Sequence, residues 1–570
     1  MTSLTCFRIR STIEGDTQST FDNVVNLDGY SVSTFGPSST NGFEAKLFVV
    51  DESPHTVPWA AFLQSGFKGV SVGSSVSPSA LLLVRPNPVG RSTKVQPMFA
   101  FSFGNVGRFL LKNNAYERGY GLRVALNLIY PKQATDGTRV RAVETKRHGS
   151  NVLRTTTQAS SLSDFEAFNV NYLRDIVGKA TGLPADTTTW GPRISGGDSI
   201  SLNREVTFSD LGKLCIKLEK VHKKTDYQGK FYWIDYIQPV VDPAQIARLE
   251  EVVLGKLKSE ELDNLDLAPP EILDWTRVSH FVFPFDRTSR LGSSPVRHPD
   301  LRLIDYLSGL KRPIRSRQIS GATAEDAAST RLTNLTLPSL RSNRIVAIDS
   351  SGTTSYQWSV WKCLVGEIEL NGDTFVLDEG DFFRVQDDYV EELNRFINKL
   401  PAATIAFPNS TPTKHEGIYN SEFAETSAEY FLLDKRLVSI RSKTTPIEIC
   451  DILTKNRELI HVKRHLGSSD LSHLFSQGMV SAELIQSSPE FRKVVSKKIK
   501  SYEKGRTGFD CFGGPSIAAS DFQIVYAIIE RWQGKTCAEA MPFFSKVNLR
   551  EVAGNLASRG FRVALNQIQA

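Results

Sequence analysis

The sequence predicts an α+β multidomain protein, with β-rich N-terminal and middle regions and a C-terminal α/β domain. Three observations lead there. The chain has 570 residues, too many for one hydrophobic core, and length sets a prior of about three to four domains. Short apolar runs bounded by Gly, Pro, Ser and Asn recur through the first 390 residues, as strands joined by tight turns do. After residue 400, strand-like runs alternate with helical ones, the pattern of a layered α/β domain.

Composition narrows the function classes. Hydrophobic residues make up 40% and charged residues 23%, ordinary for a soluble globular chain. No run approaches the ~20 apolar residues that span a bilayer. The start, MTSLTCFRIRST, lacks the apolar core of a secretory signal. The expectation is a cytoplasmic protein with no membrane partner. Cys6, Cys215, Cys363, Cys450, Cys511 and Cys537 are scattered without a C-x-x-C pair, which argues against a zinc cluster or a disulfide framework. A net charge of +6 permits nucleic-acid binding without demanding it.

In residues 1–130, a β-rich N-terminal domain, LTCFRIR, KLFVVDE, SALLLVRPN and the run from Met98 to Phe103 read as strands. VPWAAFLQSGF reads as a short helix or packed loop, and RVALNLIY as a buried strand. The turn from Gly104 to Arg108 reads as a plain turn ahead of a phosphate cradle, because no Lys-Ser/Thr follows and the G-x-G-x-x-G spacing is unmet. Residues 131–270 form an α+β middle domain. A polar, basic run over 133–165 is a solvated loop or hairpin, with a nucleic-acid-facing surface as the sharper alternative. DFEAFNVNYLRDIVGKATG reads as a helix ending at Gly182. Leu211, Leu214, Ile216, Leu218 and Val221 give an amphipathic helix. GKFYWIDYIQPVVD is an aromatic strand, and PAQIARLEEVVLGKLKSEEL a helix. Residues 271–400 form a β-meander domain with a loose Arg-rich linker (316–342), preceded by a helix that Pro313 breaks. Asn371-Gly372 is a hairpin turn, and YVEELNRFINKL an amphipathic helix.

Residues 401–570 carry the chemistry. HEGIYNSEFAETS is a helix with Glu416 and Glu422, and YFLLDKRLVSI a strand with Asp434. Next come a strand ending on Asp451, a tight turn, a strand with His461-Val462-Lys463, and a helix over Ser468–Val480. Period-two alternation points His461 and Lys463 the same way. His473, inside the apolar run of that last helix, reads as a core histidine. FRKVVSKKIKSYEKGR is a basic helix, FQIVYAIIER a buried strand, and the remainder a helix and a last strand. An acid, a metal-capable ring and a lysine on adjoining strand ends are parts of a metal-dependent phosphodiester-cleaving site. Arg464 and His465, with Arg492, Lys493, Lys497, Lys498 and Lys500, are the candidate phosphate contacts.

This order resembles the restriction-endonuclease-like PD-(D/E)XK nucleases. In them a helix acid, a strand acid and an E-x-K pair on the next strand bind a divalent metal and activate water. The resemblance implies a metal-ligand set of Asp451, His461 and Glu416 or Glu422, with Asp451, Lys463 and His461 catalytic. Lys463 matches the lysine of E-x-K, and His461 stands where the family has Glu or Asp. Gln477 matches a glutamine that some members carry on the following helix. The implied cofactor is Mg²⁺ or Mn²⁺, and the implied partner is nucleic acid, DNA ahead of RNA.

The set FAFSFGNVGRFLL, ERGYGLRVALNLI, ISGGDSISL, YWIDYI, ICDIL–HVKR–LSHLFSQG and PFFSKVNLR is also similar to a sporadically distributed, uncharacterised bacterial family found among mobile and defence genes. The expectation is a metal-dependent nuclease acting in prokaryotic defence against phage or mobile DNA. The alternative is a catalytically inactive, nuclease-like nucleic-acid-binding or sensor module. A second copy of the chain and a defence-system partner both stay open as assembly partners.

Overall fold

The structure, a computed structural model, describes residues 3–11, 19–40, 42–51, 55–56, 74–75, 78–88, 95–112, 115–132, 137–147, 152–171, 175–262, 264–286, 296–311, 331–440, 446–465, 468–502, 507–514 and 516–570. The VPWAAFLQSGF segment, Pro313 and the linker up to residue 330 lie outside the described residues. Two compact units divide the chain: residues 1–146 with 154–234, and residues 235–570 with 147–153. Among the described residues, no helix is long and apolar enough to cross a membrane.

The first unit is built on a ten-stranded sheet. Its strands are β1 (Ser3–Arg8), β2 (Val32–Thr40), β3 (Phe43–Val50), β4 (Ser79–Pro86), β5 (Phe99–Phe103), β6 (Val140–Arg147), β7 (Leu153–Ser163), β8 (Asp175–Gly182), β9 (Ile194–Gly196) and β10 (Ile200–Asn203). They lie in the order β2-β3-β4-β5-β1-β10-β9-β8-β6-β7. Along β4, Leu82 and Val84 join one core while Leu81 and Leu83 join another, the period-two division of a sheet covered on both faces.

Three segments differ from their expected form. RVALNLIY belongs to helix α1 (Tyr120–Ile129), not a strand. Nine of the ten residues of α1 are buried, so no polar stripe marks a helical period in the sequence. Glycines let α1 lie directly on the sheet: a Cβ at Gly121 would fall 1.9 Å from the Ser199 carbonyl oxygen. DIVGKATG is strand β8 rather than the end of a helix, with Val177, Ala180 and Gly182 buried. Its β-branched start outweighs the helical reading of the preceding residues. The amphipathic helix is as expected, α2 (Leu211–His222). The aromatic run after it is two helical turns and a three-residue strand, β11 (Ile237–Pro239). Phe231 packs there at a tilt against the rings of Tyr130 and Phe165 instead of extending a sheet.

In the second unit, helix α3 (Pro243–Ser259) follows β11 as expected. β12 (Leu265–Leu267), β13 (His280–Val282), α4 (Leu303–Leu310), β14 (Arg344–Ile348), β15 (Thr354–Ser359), β16 (Leu364–Leu370), β17 (Asp373–Asp378) and β18 (Asp381–Val385) come next. They form a three-stranded sheet, β13-β14-β15, and a five-stranded one, β11-β18-β17-β16-β12. Asn371 and Gly372 both have positive φ, as the two-residue turn between β16 and β17 requires. Helix α5 (Asp387–Lys399) leads to the C-terminal part.

That part is a five-stranded mixed sheet between helices. α6 (Glu416–Glu425) precedes β19 (Tyr430–Leu432), β20 (Ile452–Thr454) and β21 (Glu458–Arg464). α7 (Ser468–Ser487), α8 (Pro489–Tyr502), β22 (Gln523–Glu530), α9 (Phe543–Ser558) and β23 (Arg562–Gln569) complete it. The order is β19-β20-β21-β22-β23. β20 runs antiparallel to both neighbours, while β22 is parallel to β21 and β23. Ile524, Tyr526 and Ile528 of β22 pack with residues of α7, α8 and α9. Val525, Ala527 and Ile529 pack with Tyr419 and Phe423 of α6. The sheet is the middle of three layers. One correction concerns the central hairpin: the turn lies between Thr454 and Glu458, and Asp451 precedes its strand instead of ending one.

Glu367 on β16 ties this part to the meander. It is fully buried, and its carboxylate accepts hydrogen bonds from the Phe543 and Phe544 N–H groups at 2.8 and 2.7 Å. Those amides open α9, so the acid sits at the positive end of the helix dipole. Burial outweighs both bonds and raises its pKa from 4.5 to about 7. The folded state therefore binds this proton more tightly than the unfolded state does. The contribution to stability is present at low pH and is lost as pH rises from about 4.5 to about 7, by up to ~3 kcal/mol. Glu367→Gln is expected to remove that part of the slope in urea unfolding across pH. Glu367→Ala, which strips the acceptors, is expected to cost about 1–3 kcal/mol at low pH and less as pH rises through about 7, where the buried charge it removes is itself unfavourable.

Candidate metal centre

Four backbone contacts bring three acids together. The Asp451 N–H bonds the Ile460 carbonyl at 2.9 Å, and the Asp451 carbonyl accepts from the Leu433 and Asp434 N–H groups at 2.7 and 3.0 Å. Val438 and Ile447 form an isolated bridge, which carries Glu448 back beside the turn after β19. The Lys435 N–H, at a positive φ of 59°, donates to the Glu448 carboxylate. The result is a trio, Asp434, Glu448 and Asp451, whose carboxylate oxygens lie within 4.8 Å of one another.

The trio is electrostatically unbalanced. Like charges at that spacing repel by roughly 3–4 kcal/mol at an effective dielectric near 20. Burial pushes the Asp451 carboxyl well above the usual range, and the charges of Glu448, Asp434 and Glu416 push it further, against the single hydrogen bond from the Val462 N–H at 2.7 Å. Glu448 is raised in the same way, by burial first and then by Asp434 and Glu416. The donors recorded to the trio are neutral: two backbone amides and the Gln477 side chain, 3.3 Å from Glu448.

Lys463 and Glu416 stand beside the trio. Lys463 Nζ lies 3.1 Å from Glu416 Oε1, and the Arg464 N–H donates to Glu416 Oε2 at 3.0 Å. Of the two candidate glutamates on α6, Glu416 faces the centre, whereas Glu422 pairs with Lys414 at 2.7 Å and is largely exposed. Asn420 lies four residues on from Glu416, on the same face of α6. It is fully buried, and neither atom of its amide has a recorded partner. An amide buried without a partner is costly.

His461 stands apart from the trio. It is buried against Tyr526, with ring centroids 6.0 Å apart, and its Nε2 has no recorded partner. Burial lowers its pKa to about 3, so the ring is neutral. His473, expected in the core, is exposed on α7, and its charge acts on Glu448. Arg464 donates to Ser410 Oγ and to the Thr411 and Lys414 carbonyls, clamping the segment before α6. His465 pairs with Glu530 at 2.8 Å. Arg492 is buried and donates to the Ile485 and Gln486 carbonyls at the end of α7. Lys498 donates to the Leu437 carbonyl, and Lys500 pairs with Asp510 at 2.9 Å. Lys493 and Lys497 are exposed on α8.

From the sequence, Asp434 was placed on a strand without a role, and Glu448 was not singled out. The signal for Glu448 is its place three residues before Asp451. For Asp434 there is little, because the strand expected over 430–440 stops at Leu432 and the acid falls in a turn.

No curated protein and no solved structure matches the chain. The model of the family described as "Family of unknown function (DUF6119)" matches residues 4–569, so the chain belongs to that family.

If a cation balances the trio, Mn²⁺ is expected to raise the urea midpoint of the wild type, by about 2.7 kcal/mol at a hundredfold excess over Kd. Asp451→Asn keeps an acceptor for the Val462 N–H while removing a charge. It is expected to match or exceed the metal-free wild type by roughly 1–2 kcal/mol and to lose the response to Mn²⁺. A variant that is less stable without metal yet still responds to Mn²⁺ would count against the trio as the ligand set.

Proposed function

Reading the centre from its side chains, since the family description names no activity, we propose that the C-terminal domain is a metal-dependent nuclease of the restriction-endonuclease-like kind. The observation that carries the proposal is the convergence of a helix acid, the trio and a lysine at one end of a mixed sheet: Glu416 on α6, Asp434, Glu448 and Asp451, and Lys463 on β21. Three carboxylates are hard oxygen donors, suited to Mg²⁺ or Mn²⁺. The unbalanced charge of the trio suits a divalent cation.

Phosphodiester hydrolysis forms a P–O bond from water and breaks the P–O bond to a sugar oxygen, which leaves with a proton. A divalent ion held by the trio would acidify the attacking water and offset charge on the phosphate. Lys463, oriented by Glu416, meets the developing negative charge on the phosphorane oxygens. Glu416 fixes the lysine while accepting the Arg464 N–H, so the pair is positioned before substrate arrives. Gln477 orients Glu448.

His461 is the observation that favours the alternative, an inactive nuclease-like module that binds nucleic acid or senses it. A neutral, buried ring stands where the resemblance expects a carboxylate. The active reading assigns the missing carboxylate to Glu448, which reaches the trio from the segment before β20.

Purified full-length protein is expected to cut DNA or RNA with Mg²⁺ or Mn²⁺ and not with EDTA. Asp451→Ala and Glu448→Ala are expected to abolish cleavage, and Lys463→Ala to lower kcat by about 10²–10³. Folded wild type that binds nucleic acid in a salt-sensitive manner, but cuts none with either metal, would replace the nuclease by the binding module.

A further inference from the structure

Resting on the nuclease reading, we propose that the groove between α6 and the turn after β19 seats one unstacked nucleotide of a single-stranded nucleic acid, with Lys435 at its phosphate and Ile418 against its base. The groove has a volume of about 490 Å³ and is lined by His415, Gly417, Ile418, Ser421, Glu422, Asp434 and Lys435; of its two carboxylates, Glu422 is paired with Lys414 and Asp434 belongs to the trio. That lies in the range of sites for one small ligand, roughly 300–1,000 Å³. Asp434 belongs both to this lining and to the trio, so an occupant sits next to the reacting phosphate.

Three features identify the occupant. The first is charge. Lys435 is exposed, and its ammonium leans over the first turn of α6: a Cβ on Gly417 would lie 3.3 Å from Lys435 Nζ and 3.1 Å from Asp434 Oδ2. The absent side chain at Gly417 keeps the inner end of the groove open. The second is an apolar wall. Ile418 is 51% exposed; a lone exposed isoleucine is ordinary, but this one faces a polar groove beside an anionic centre. A duplex keeps its bases stacked inside and offers none to such a wall, whereas an unpaired nucleotide presents a base face and a phosphate together. The third is coupling. Lys435 holds a left-handed backbone conformation while its N–H bonds Glu448. One residue thus ties the groove to the trio, at a backbone geometry that persists only where its surroundings enforce it.

The test uses the full chain with a short labelled oligonucleotide, single-stranded and as the matching duplex. Cleavage is followed with Mn²⁺, binding by anisotropy with Ca²⁺, and metal binding by the Mn²⁺-induced shift in Tm. Wild type is expected to cut the single strand at least about tenfold faster than the duplex. Ile418→Asp and Lys435→Gln are each expected to lower kcat/KM on the single strand about tenfold, mainly through KM. The Lys435 variant is also expected to show a flatter salt dependence, and both are expected to keep the Mn²⁺ shift. Wild type that cuts the duplex as fast, or variants that cut the single strand as well as wild type does, would overturn this inference and leave the nuclease reading standing. Wild type that responds to Mn²⁺ but cuts neither substrate would overturn both.

Discussion

The Val462 N–H bond to Asp451 is the contact on which the centre depends. It holds a nearly buried carboxylate against the strand that carries Lys463. A buried acid is tolerable when hydrogen bonds or opposite charge compensate it. Here one amide does part of that work, and two further acids are brought closer instead of being kept apart. The backbone is committed to this crowding. Leu433 and Asp434 both donate to the Asp451 carbonyl, so the turn after β19 cannot withdraw without breaking the hairpin's edge. A fold that held these acids together for stability alone would gain from separating them. The donors that reach them are neutral, so their charge is not offset within the centre.

The rest of the domain is arranged to make that crowding rigid. β22 alternates between two apolar cores, so β21, its parallel neighbour, is fixed on both faces. Tyr526 of β22 is fully buried and donates to the Phe475 carbonyl of α7 at 3.1 Å. A Cβ on Gly478 would fall 2.4 Å from its hydroxyl, so α7 approaches the sheet here because it lacks a side chain. The same close approach sets Gln477 beside Glu448. On the opposite face, Tyr419 and Phe423 anchor α6, which sets Glu416 at the strand end.

Much of this domain's fold was legible in the sequence, because its signals are local. The hairpin, the helix before it and the helix after it follow from periodicity and turn residues, whereas Asp451 was expected at the end of a strand and precedes one, and the choice between Glu416 and Glu422 was open. What was hidden depends on contacts distant in sequence. Glu448 and Asp434 meet only because Val438 bridges Ile447, and no period encodes an isolated bridge. Arg464 and Arg492 read as phosphate contacts because an arginine looks alike whether it meets a phosphate or a backbone carbonyl. In the first unit, α1 was mistaken for a strand because burial on nearly every side erases the polar stripe that distinguishes the two.

His461 is where these lines of argument meet. A carboxylate at its position would lie next to Tyr526, under α7, in surroundings that hold the ring neutral down to about pH 3. Those surroundings oppose any charged group, so an acid there would need a cation to be tolerated at all. A histidine removes that demand. It fills the space with a ring and leaves the anionic work to Glu448, which reaches the trio from a half-exposed segment and keeps a backbone donor and an amide donor of its own. The same substitution that weakens the match to the motif therefore lightens the charge burden on the metal-free fold. Glu448 comes to Asp434 and Asp451 from a part of the chain that the motif does not include.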